Sequence, residues 1–299
     1  MRSKPFISVV VPTYNRAHLI ISTLASLLDQ NYKNYEVIVV DDGSTDNTED
    51  VVLAIPDDRL KYFKKDNAER AAARNYGTRL AKGDYINFFD SDDIALPNHL
   101  GEAAKMIVSK NWSEWFHLGY AWASPERKIL KKINRYTKST SNHLLPYGNP
   151  VGTNTVFIRK DIALSNPFDE DRELSASEDY ELWFRLAVQY PFYADNTITS
   201  LLIQHSERSV LTSTPDKLEK RLLLCIKKVT CNDQVVNYYG NRLNLIRMER
   251  YSYLALHLSD IASAKYASIF NLFKAFYASP SLLLRKRFYA ILRNILFVR

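Results

Sequence analysis

A chain of 299 residues, 46% of them hydrophobic, is long enough for one large domain, or a domain with an appendage, around a substantial core. Its two cysteines, Cys225 and Cys231, exclude both a disulfide framework and a cluster of soft metal ligands, which fits a reducing cytoplasm. The formal charge is +7, and Met1 to Pro5 lead into no apolar signal core, nor does any stretch reach about 18 uncharged apolar residues, so neither secretion nor a membrane span is expected.

Ser8 to Val11 is a run ending in Pro12-Thr13-Tyr14-Asn15, which predicts a strand buried on both faces that stops at a turn. From His18 to Gln30, Leu19, Thr23, Leu24, Leu27 and Leu28 recur at helical spacing and form one apolar stripe. A second strand, Glu36 to Val40, ends in Asp41-Asp42-Gly43-Ser44, and Thr45 or Asp46 can cap the helix leading into Val51-Val52. A third strand near Leu60 to Phe63, a helix from Glu69 to Ala81 and a fourth strand from Tyr85 to Phe89 continue the alternation. Strand and helix in turn demand an open, doubly wound, mostly parallel α/β sheet covered by helices.

After Leu100 the rhythm changes: a helix to about Lys110, aromatic-rich strands at Trp115 to Trp122 and Ile129 to Ile133, then a Ser-, Asn- and Pro-rich loop to Pro150. A strand at Thr155 to Arg159, a helix from Glu178 and a strand at Ile198 to Gln204 precede a helical tail opening at Leu218. The charge is uneven across this boundary. Residues 211–299 hold fifteen Lys and Arg against five Asp and Glu, a net of +10, which leaves −3 for residues 1–210. Within the tail, Leu284, Phe288, Ile291, Leu292 and Ile295 share one helical face and Arg285, Lys286, Arg287 and Arg293 gather on the other. That pattern suits an anionic membrane surface, packing on the catalytic domain, or a second subunit. No recognised nucleic-acid motif accompanies the charge, so no nucleic-acid partner is expected.

Ligands of open α/β sheets bind at the carboxyl ends of the strands. Here those ends carry Asp41 and Asp42 on one strand and Asp90, Ser91, Asp92 and Asp93 on another, so five carboxylates are predicted to converge on one crevice. Such a cluster repels itself without a cation, and carboxylate oxygens favour Mg²⁺ or Mn²⁺, which bind through one or two carboxylates plus substrate phosphates. The bland reading is a turn in which Asp and Ser bond local backbone. There is neither a G-x-G-x-x-G after the first strand nor a G-x-x-x-x-G-K-S/T anywhere. A metal-dependent nucleotidyltransferase or phosphohydrolase also uses paired Asp residues, but Pro12 to Arg16 lacks the glycine-rich loop expected of the former.

SVVVPTYN at Ser8 to Asn15, VIVVDDGST at Val37 to Thr45, Ala73-Arg74-Asn75 before Gly77, Gly83-Asp84-Tyr85-Ile86 and FDSDD at Phe89 to Asp93 stand in one order and spacing. With Glu178-Asp179-Tyr180-Glu181-Leu182-Trp183 and His205 they make the chain resemble the family 2 glycosyltransferases over roughly residues 6–210. The resemblance implies a GT-A-like catalytic domain over 1–210, with a nucleotide half at about 1–100 and an acceptor half at about 101–210, and a basic helical region over 211–299 for membrane association or oligomerisation. It implies an inverting transfer from a nucleotide-diphosphate sugar, most often a UDP-sugar, to a glycan or lipid-linked acceptor, with Mn²⁺ or Mg²⁺. Pro12, Tyr14, Asp42 and Arg74 would line the nucleotide pocket, Asp90 and Ser91 would sit at the ribose, Asp92 and His205 at the metal, and Asp179 would be the general base. Against these stand plainer roles: helix N-terminal acids for Glu178 and Asp179, a surface histidine for His205, and a turn-forming carboxylate for Asp41. A catalytically inactive sugar-nucleotide module is the non-enzymatic alternative. The expected setting is cytoplasmic, peripheral on the inner face of the cell membrane, with surface polysaccharide as product and a homodimer through the C-terminal helices as the other use of the tail. Gly152-Thr153-Asn154-Thr155 offers small polar groups for a sugar, whereas Trp112, Trp115, Tyr120 and Trp122 read mainly as core.

Overall fold

The computed structural model of the protein describes residues 4–134, 136, 140–208 and 214–297. The division expected at 210/211 lies outside the described residues. The chain groups into two compact units interleaved in sequence: 1–142, 151–172 and 189–208 form one, and 143–150, 173–188 and 209–299 the other.

The first unit runs β1 (Ile7–Thr13), α1 (Ala17–Leu28), β2 (Tyr35–Asp41), α2 (Thr48–Leu53), β3 (Leu60–Lys64), α3 (Glu69–Leu80), β4 (Tyr85–Phe88), β5 (Ile94–Ala95), α4 (His99–Ser109), β6 (Trp115–Ala123), β7 (Ile129–Ile133), β8 (Val156–Arg159), α5 (Lys160–Ser165) and β9 (Tyr193–Ile203). Its sheet has the order β3-β2-β1-β4-β8-β6-β9-β5, with β7 paired to β6. β3, β2, β1 and β4 are mutually parallel. Beyond β4 the sheet is mixed, since β8 runs antiparallel to β4 and β6 while β9 runs parallel to β6. Every residue of β1 and β2 is buried, as expected of a parallel sheet covered on both faces.

Helix α1 buries Ala17, Ile20, Thr23, Leu24 and Leu27. Ala17 and Ile20 complete the stripe, and Leu19 and Leu28, expected within it, are half-buried at its margin. Helix α3 buries Ala71, Ala72, Ala73, Arg74, Asn75, Gly77 and Thr78, small residues apart from Arg74. A Cβ at Gly77 would lie 2.4 Å from Val10 Cγ1, so only glycine lets α3 approach β1 this closely. β9 begins five residues before the expected Ile198, because Tyr193 to Thr197 are largely polar and carry no apolar run. The two-residue β5 has no sequence signal of its own. Trp115 and Tyr120 are core residues as expected, while Trp122 stays partly exposed on β6.

The second unit is helical: α6 (Glu178–Gln189, all but its last residue), α7 (Pro215–Thr230), α8 (Asp233–Tyr239), α9 (Leu243–Ser259), α10 (Lys265–Ala278) and α11 (Lys286–Phe297). Residues 143–150 join it because Tyr180 of α6 donates its hydroxyl to Leu145 O at 2.5 Å. The Arg250 guanidinium of α9 sits 4.3 Å from the centre of the same tyrosine ring. Thr214 caps α7, accepting from Lys217 N, with Pro215 at the first helical position. Among the described residues no helix is long and apolar enough to cross a membrane. Of the stripe for which a membrane surface and protein packing were both open, Leu284 falls before α11 and is largely exposed, while the members on α11 turn into this unit. Ile291 is fully buried, Phe288 lies on a cluster of Met248, Ala275 and Leu282, and Arg287 Nη1 holds Glu249 Oε1 at 2.6 Å.

Two buried histidines brace the sheet of the first unit. His99 Nε2 lies 3.2 Å from Asn87 Oδ1, and His117 Nε2 accepts the Gly152 N–H at 3.1 Å. Burial pushes both imidazoles down from 6.5 to about 3. The fold therefore holds them neutral where the unfolded chain takes up protons, so their contribution is full above about pH 6.5 and is lost as the pH falls toward about 3. Thermal melts should show a melting temperature that declines steadily below about pH 6.5. A melting temperature independent of pH across that window would contradict the burial of neutral imidazoles.

Candidate active site

Several loops of the first unit leave one edge of the sheet. Thr13, the last residue of β1, pairs with Asp41, the last of β2. Phe89, just past β4, donates its N–H to Val10 O at 2.9 Å. The first two loops are stitched by Asn15: its N–H donates to Ser44 Oγ at 2.8 Å and its Oδ1 accepts the Thr45 N–H at 2.8 Å. Asn15 itself takes a positive φ of 50°, a conformation asparagine tolerates better than most residues. Gly43 has φ 85° and a Cβ there would press on Asn67 N and Lys65 O at 3.1 and 3.2 Å, so the acidic turn after β2 requires glycine twice over.

Within that turn the two aspartates diverge. Asp41 is fully buried and spends both oxygens on the fold, Oδ1 on Ser44 N at 2.7 Å and Oδ2 on Tyr62 OH at 2.6 Å. This is the turn-forming role. Asp42 Oδ1 accepts from Lys65 Nζ at 2.5 Å and Ala68 N at 3.0 Å. Its other oxygen has no partner among the described residues. Pro12 is buried at the end of β1, and Tyr14 is about half exposed beside it in sequence. Asp46 accepts from Thr48 N at 3.0 Å just ahead of α2, but the cap position is Asn47, which makes no side-chain cap bond, so neither Thr45 nor Asp46 is the cap the sequence suggested.

The loop after β4 holds the densest charge. Arg74, almost wholly buried on α3, donates from Nη2 to Asp90 Oδ1 at 2.8 Å and lies 5.2 Å from the centre of the Phe168 ring. The expected nucleotide-side residues Arg74 and Asp90 are thus brought together as an ion pair, and Ser91 next to them is buried. Asp92 and His205 also meet, Oδ2 to Nε2 at 3.1 Å. Burial raises the Asp92 carboxyl, but the His205 hydrogen bond and the charges of Arg208, His205 and Arg16 outweigh it and hold the group below its ordinary value. Asp93 has no exposure at all. Its Oδ1 accepts from Ile203 N at 2.7 Å and from Arg208 Nη1 at 3.4 Å, and its Oδ2 from Asn154 Nδ2 at 2.7 Å. Burial, and then the charge of Asp92, push Asp93 well above the usual carboxylate range.

Two residues at this edge, Arg208 and Glu207, carried no site signal in the sequence, and a third, Asn154, was expected there only as a polar group for a sugar. Arg208 donates to Asp93 and to Ile203 O at 2.9 Å. Burial works against its charge, yet Asp93, Asp92 and Asp90 together raise its pKa. Asn154 accepts the Asp90 N–H at 3.0 Å while it donates to Asp93, so it clamps both ends of the acidic loop. Glu207 joins the loop after β9 to that after β1, accepting from Arg16 Nη1 at 2.5 Å and lying 3.3 Å from His18 Nε2. The Gly152-Thr153-Asn154-Thr155 segment, expected to offer polar groups to a sugar, uses Asn154 and Thr155 to hold the loop and His117.

Asp179 belongs to the second unit, in the first turn of α6. Its Oδ1 accepts the adjacent Tyr180 N–H at 2.7 Å and its Oδ2 accepts from Asn149 Nδ2 at 3.1 Å. Among the described residues no group of three or more His, Cys, Asp or Glu gathers as a metal site. A hard divalent ion that keeps diphosphate and water as ligands still fits a carboxylate-imidazole pair such as Asp92 and His205.

An open α/β sheet with an acidic loop at its carboxyl edge and a helical extension is the GT-A architecture of glycosyltransferases, and the protein is an enzyme of that kind. It belongs to glycosyl transferase family 2, whose model matches residues 8–163. The chain is 32% identical over 231 residues to a putative colanic acid biosynthesis glycosyl transferase, WcaA, of Escherichia coli, covering 73% of this chain and 79% of that protein. It is 35% identical over 196 residues to the Escherichia coli UDP-Glc:alpha-D-GlcNAc-diphosphoundecaprenol beta-1,3-glucosyltransferase WfgD, covering 65% of this chain and 72% of the relative. Among solved structures, the mannosyltransferase PcManGT of Pyrobaculum calidifontis, in complex with GDP-Man and Mn²⁺, superposes with a TM-score of 0.63 at 18% identity. The match covers 99% of this chain and 88% of that one.

Removing the clamp tests the loop architecture. Asn154→Ala leaves Asp93 Oδ2 and the Asp90 N–H without their partner, and should cost about 2–3 kcal/mol of unfolding free energy in a denaturant titration. A loss below about 0.5 kcal/mol, the level of an ordinary surface substitution, would show that Asn154 does not hold the loop.

Proposed function

We propose that the protein is an inverting transferase that moves a sugar from a UDP-sugar to a hydroxyl of a glycan or lipid-linked acceptor, in the synthesis of a surface polysaccharide. The observation that carries this reading is the arrangement at the carboxyl edge, where Asp42, Asp90 and Asp92 each have one oxygen engaged with a basic side chain. The names of the two Escherichia coli relatives, one in colanic acid biosynthesis and one acting on a diphosphoundecaprenol-linked sugar, support the acceptor class.

In this reading Pro12 and Tyr14 flank the base, and Asp42, oriented by Lys65 and the Ala68 N–H, accepts a base N–H. Asp90, fixed by Arg74, receives the ribose beside Ser91. Asp92 and His205 hold a divalent ion, Mn²⁺ or Mg²⁺, which when bound neutralises the charge of the diphosphate and stabilises it as a leaving group. Asp179, oriented by Asn149, takes the proton from the acceptor hydroxyl as its oxygen forms a bond to the anomeric carbon. The bond from that carbon to the diphosphate oxygen breaks on the opposite face, and both electrons leave with UDP. The enzyme works on the inner face of the cell membrane, where a lipid-linked acceptor is presented.

Two measurements separate donor binding from chemistry. Calorimetry with UDP should show binding that strengthens with Mn²⁺ and is lost to chelator, and Asp92→Asn should remove the metal dependence. Chelator-insensitive binding by the wild type would contradict the metal site. Asp179→Asn should lower turnover by about 10²–10⁴-fold while UDP affinity stays within a few fold. Near-normal transfer by this variant would place the base elsewhere.

A further inference from the structure

Helix α10 packs Leu272 on the cluster of Met248, Ala275 and Leu282 but turns most of its aromatic rings outward. The residues it buries are Ser268, Asn271 and Ala275. Its outer face carries Tyr266, Phe270, Phe273 and Tyr277, exposed by 90%, 60%, 69% and 93%. Steps of four, three and four residues put these rings on one stripe. The inward face has a clear cause. Ser268 Oγ donates to Ala255 O of α9 at 2.7 Å, and Asn271 Nδ2 turns back to Ala267 O at 2.9 Å while its Oδ1 stays buried without a partner among the described residues, so small groups let the two helices lie close. The aromatic face covers nothing among the described residues. Four large rings in register on one short helix exceed the scattered apolar exposure normal for a surface and mark a contact site.

The charge around the stripe selects the partner. From Ile261 to Arg299 the sequence holds seven Lys and Arg and no Asp or Glu. Lys274 Nζ lies 4.3 Å from the Phe270 ring centre, at the rim of the stripe. On α11, Lys286, Tyr289, Arg293 and Leu296 are exposed at helical spacing and alternate base with apolar group. A two-fold pairing of this face with a second copy would set like charges against one another. An anionic bilayer surface takes both components, with aromatic rings at headgroup depth and basic groups against lipid phosphates.

We propose that the outer face of α10, together with the exposed basic residues of the tail, seats the protein on an anionic lipid surface. It deepens the reading of a lipid-linked acceptor and rests on that reading for its purpose, though not for its physics. The contact lies in the plane of the interface, because no described helix can cross. The surface is the outside of α10 and not the α11 stripe of Phe288 and Ile291, which the unit's own core already uses.

The test is flotation of the full chain with vesicles of mixed phosphatidylcholine and phosphatidylglycerol, against vesicles of phosphatidylcholine alone. Binding should require phosphatidylglycerol and weaken with added salt. Phe270→Ser with Phe273→Ser, at exposed positions, should lower partitioning about a hundredfold. Lys286→Gln should lower it about fivefold. Both variants should keep the wild-type melting temperature and metal-dependent UDP binding. Equal binding to both vesicle types, or no loss in the double variant, overturns the proposal. So does a wild-type dimer that the double variant converts to monomer without vesicle binding by either form, which would assign the face to a second copy. UDP binding is read separately, so failure of the donor reading leaves the vesicle result intact, and the reverse.

Discussion

Asp90, Asp92 and Asp93 stand within four residues at the end of one strand, and their mutual repulsion is what the surrounding loops are built to answer. Each carboxyl group is met by a different side chain: the Arg74 guanidinium from α3 for Asp90, the His205 imidazole from beyond β9 for Asp92, and the Arg208 guanidinium from the same segment for Asp93. Two of these come from after the last strand of the unit, more than a hundred residues away in sequence. The final strand therefore does more than complete the sheet. It returns the chain to the acidic edge with the charges that this edge needs, and Ile203 N and Arg208 close on Asp93 from one side as Asn154 closes from another.

The carboxylates divide by how many of their oxygens the fold engages. Asp41 and Asp93 are fully buried, with each oxygen committed to a donor of the fold, so they shape the turns. Asp42, Asp90 and Asp92 are each held through one oxygen by a neighbouring Lys, Arg or His side chain. A carboxylate oriented in this way loses less freedom when it meets a ligand, since its rotamer is already fixed by packing and hydrogen bonds. Removing Asp41 or Asp93 would therefore leave two or more donors of the fold without a partner, whereas Asp42, Asp90 and Asp92 each answer one basic side chain, although both kinds sit side by side in the same two motifs.

Sequence reasoning reached the first kind of information better than the second. β1, β2 and β4 were legible because continuous apolar runs leave few alternatives to a parallel buried strand, and the acidic groups were legible because they follow those runs directly. β9 was read only from Ile198, since its first five residues lack an apolar pattern and only Tyr193 and Ala194 of them pair with β6, ahead of a register shift. The clamping role of Asn154 and the role of Arg208 could not be found by any local signal. One reads as a small polar residue before a strand and the other as a charge in a loop, and what gives them meaning is a contact across 61 or 115 residues. Chain separation of that order is set by topology, which local spacing does not encode.

The helical tail illustrates the same limit from the opposite side. A helical wheel of α11 shows an apolar face and a basic face, and the wheel cannot say which neighbour the apolar face meets. In the structure Ile291 and Phe288 turn inward, and Arg287 joins them by reaching Glu249. On α10 the wheel misleads more directly, because a stripe of four aromatics would ordinarily be assigned to the core. Ser268 and Ala275 occupy the core side instead, since α9 lies too close there for a ring: the Ser268 hydroxyl already reaches a backbone carbonyl of α9 at 2.7 Å. Closeness between two helix backbones excludes bulky groups from the interface and leaves them only the outward face. The exposed aromatics of α10 thus follow from a tight helix pair.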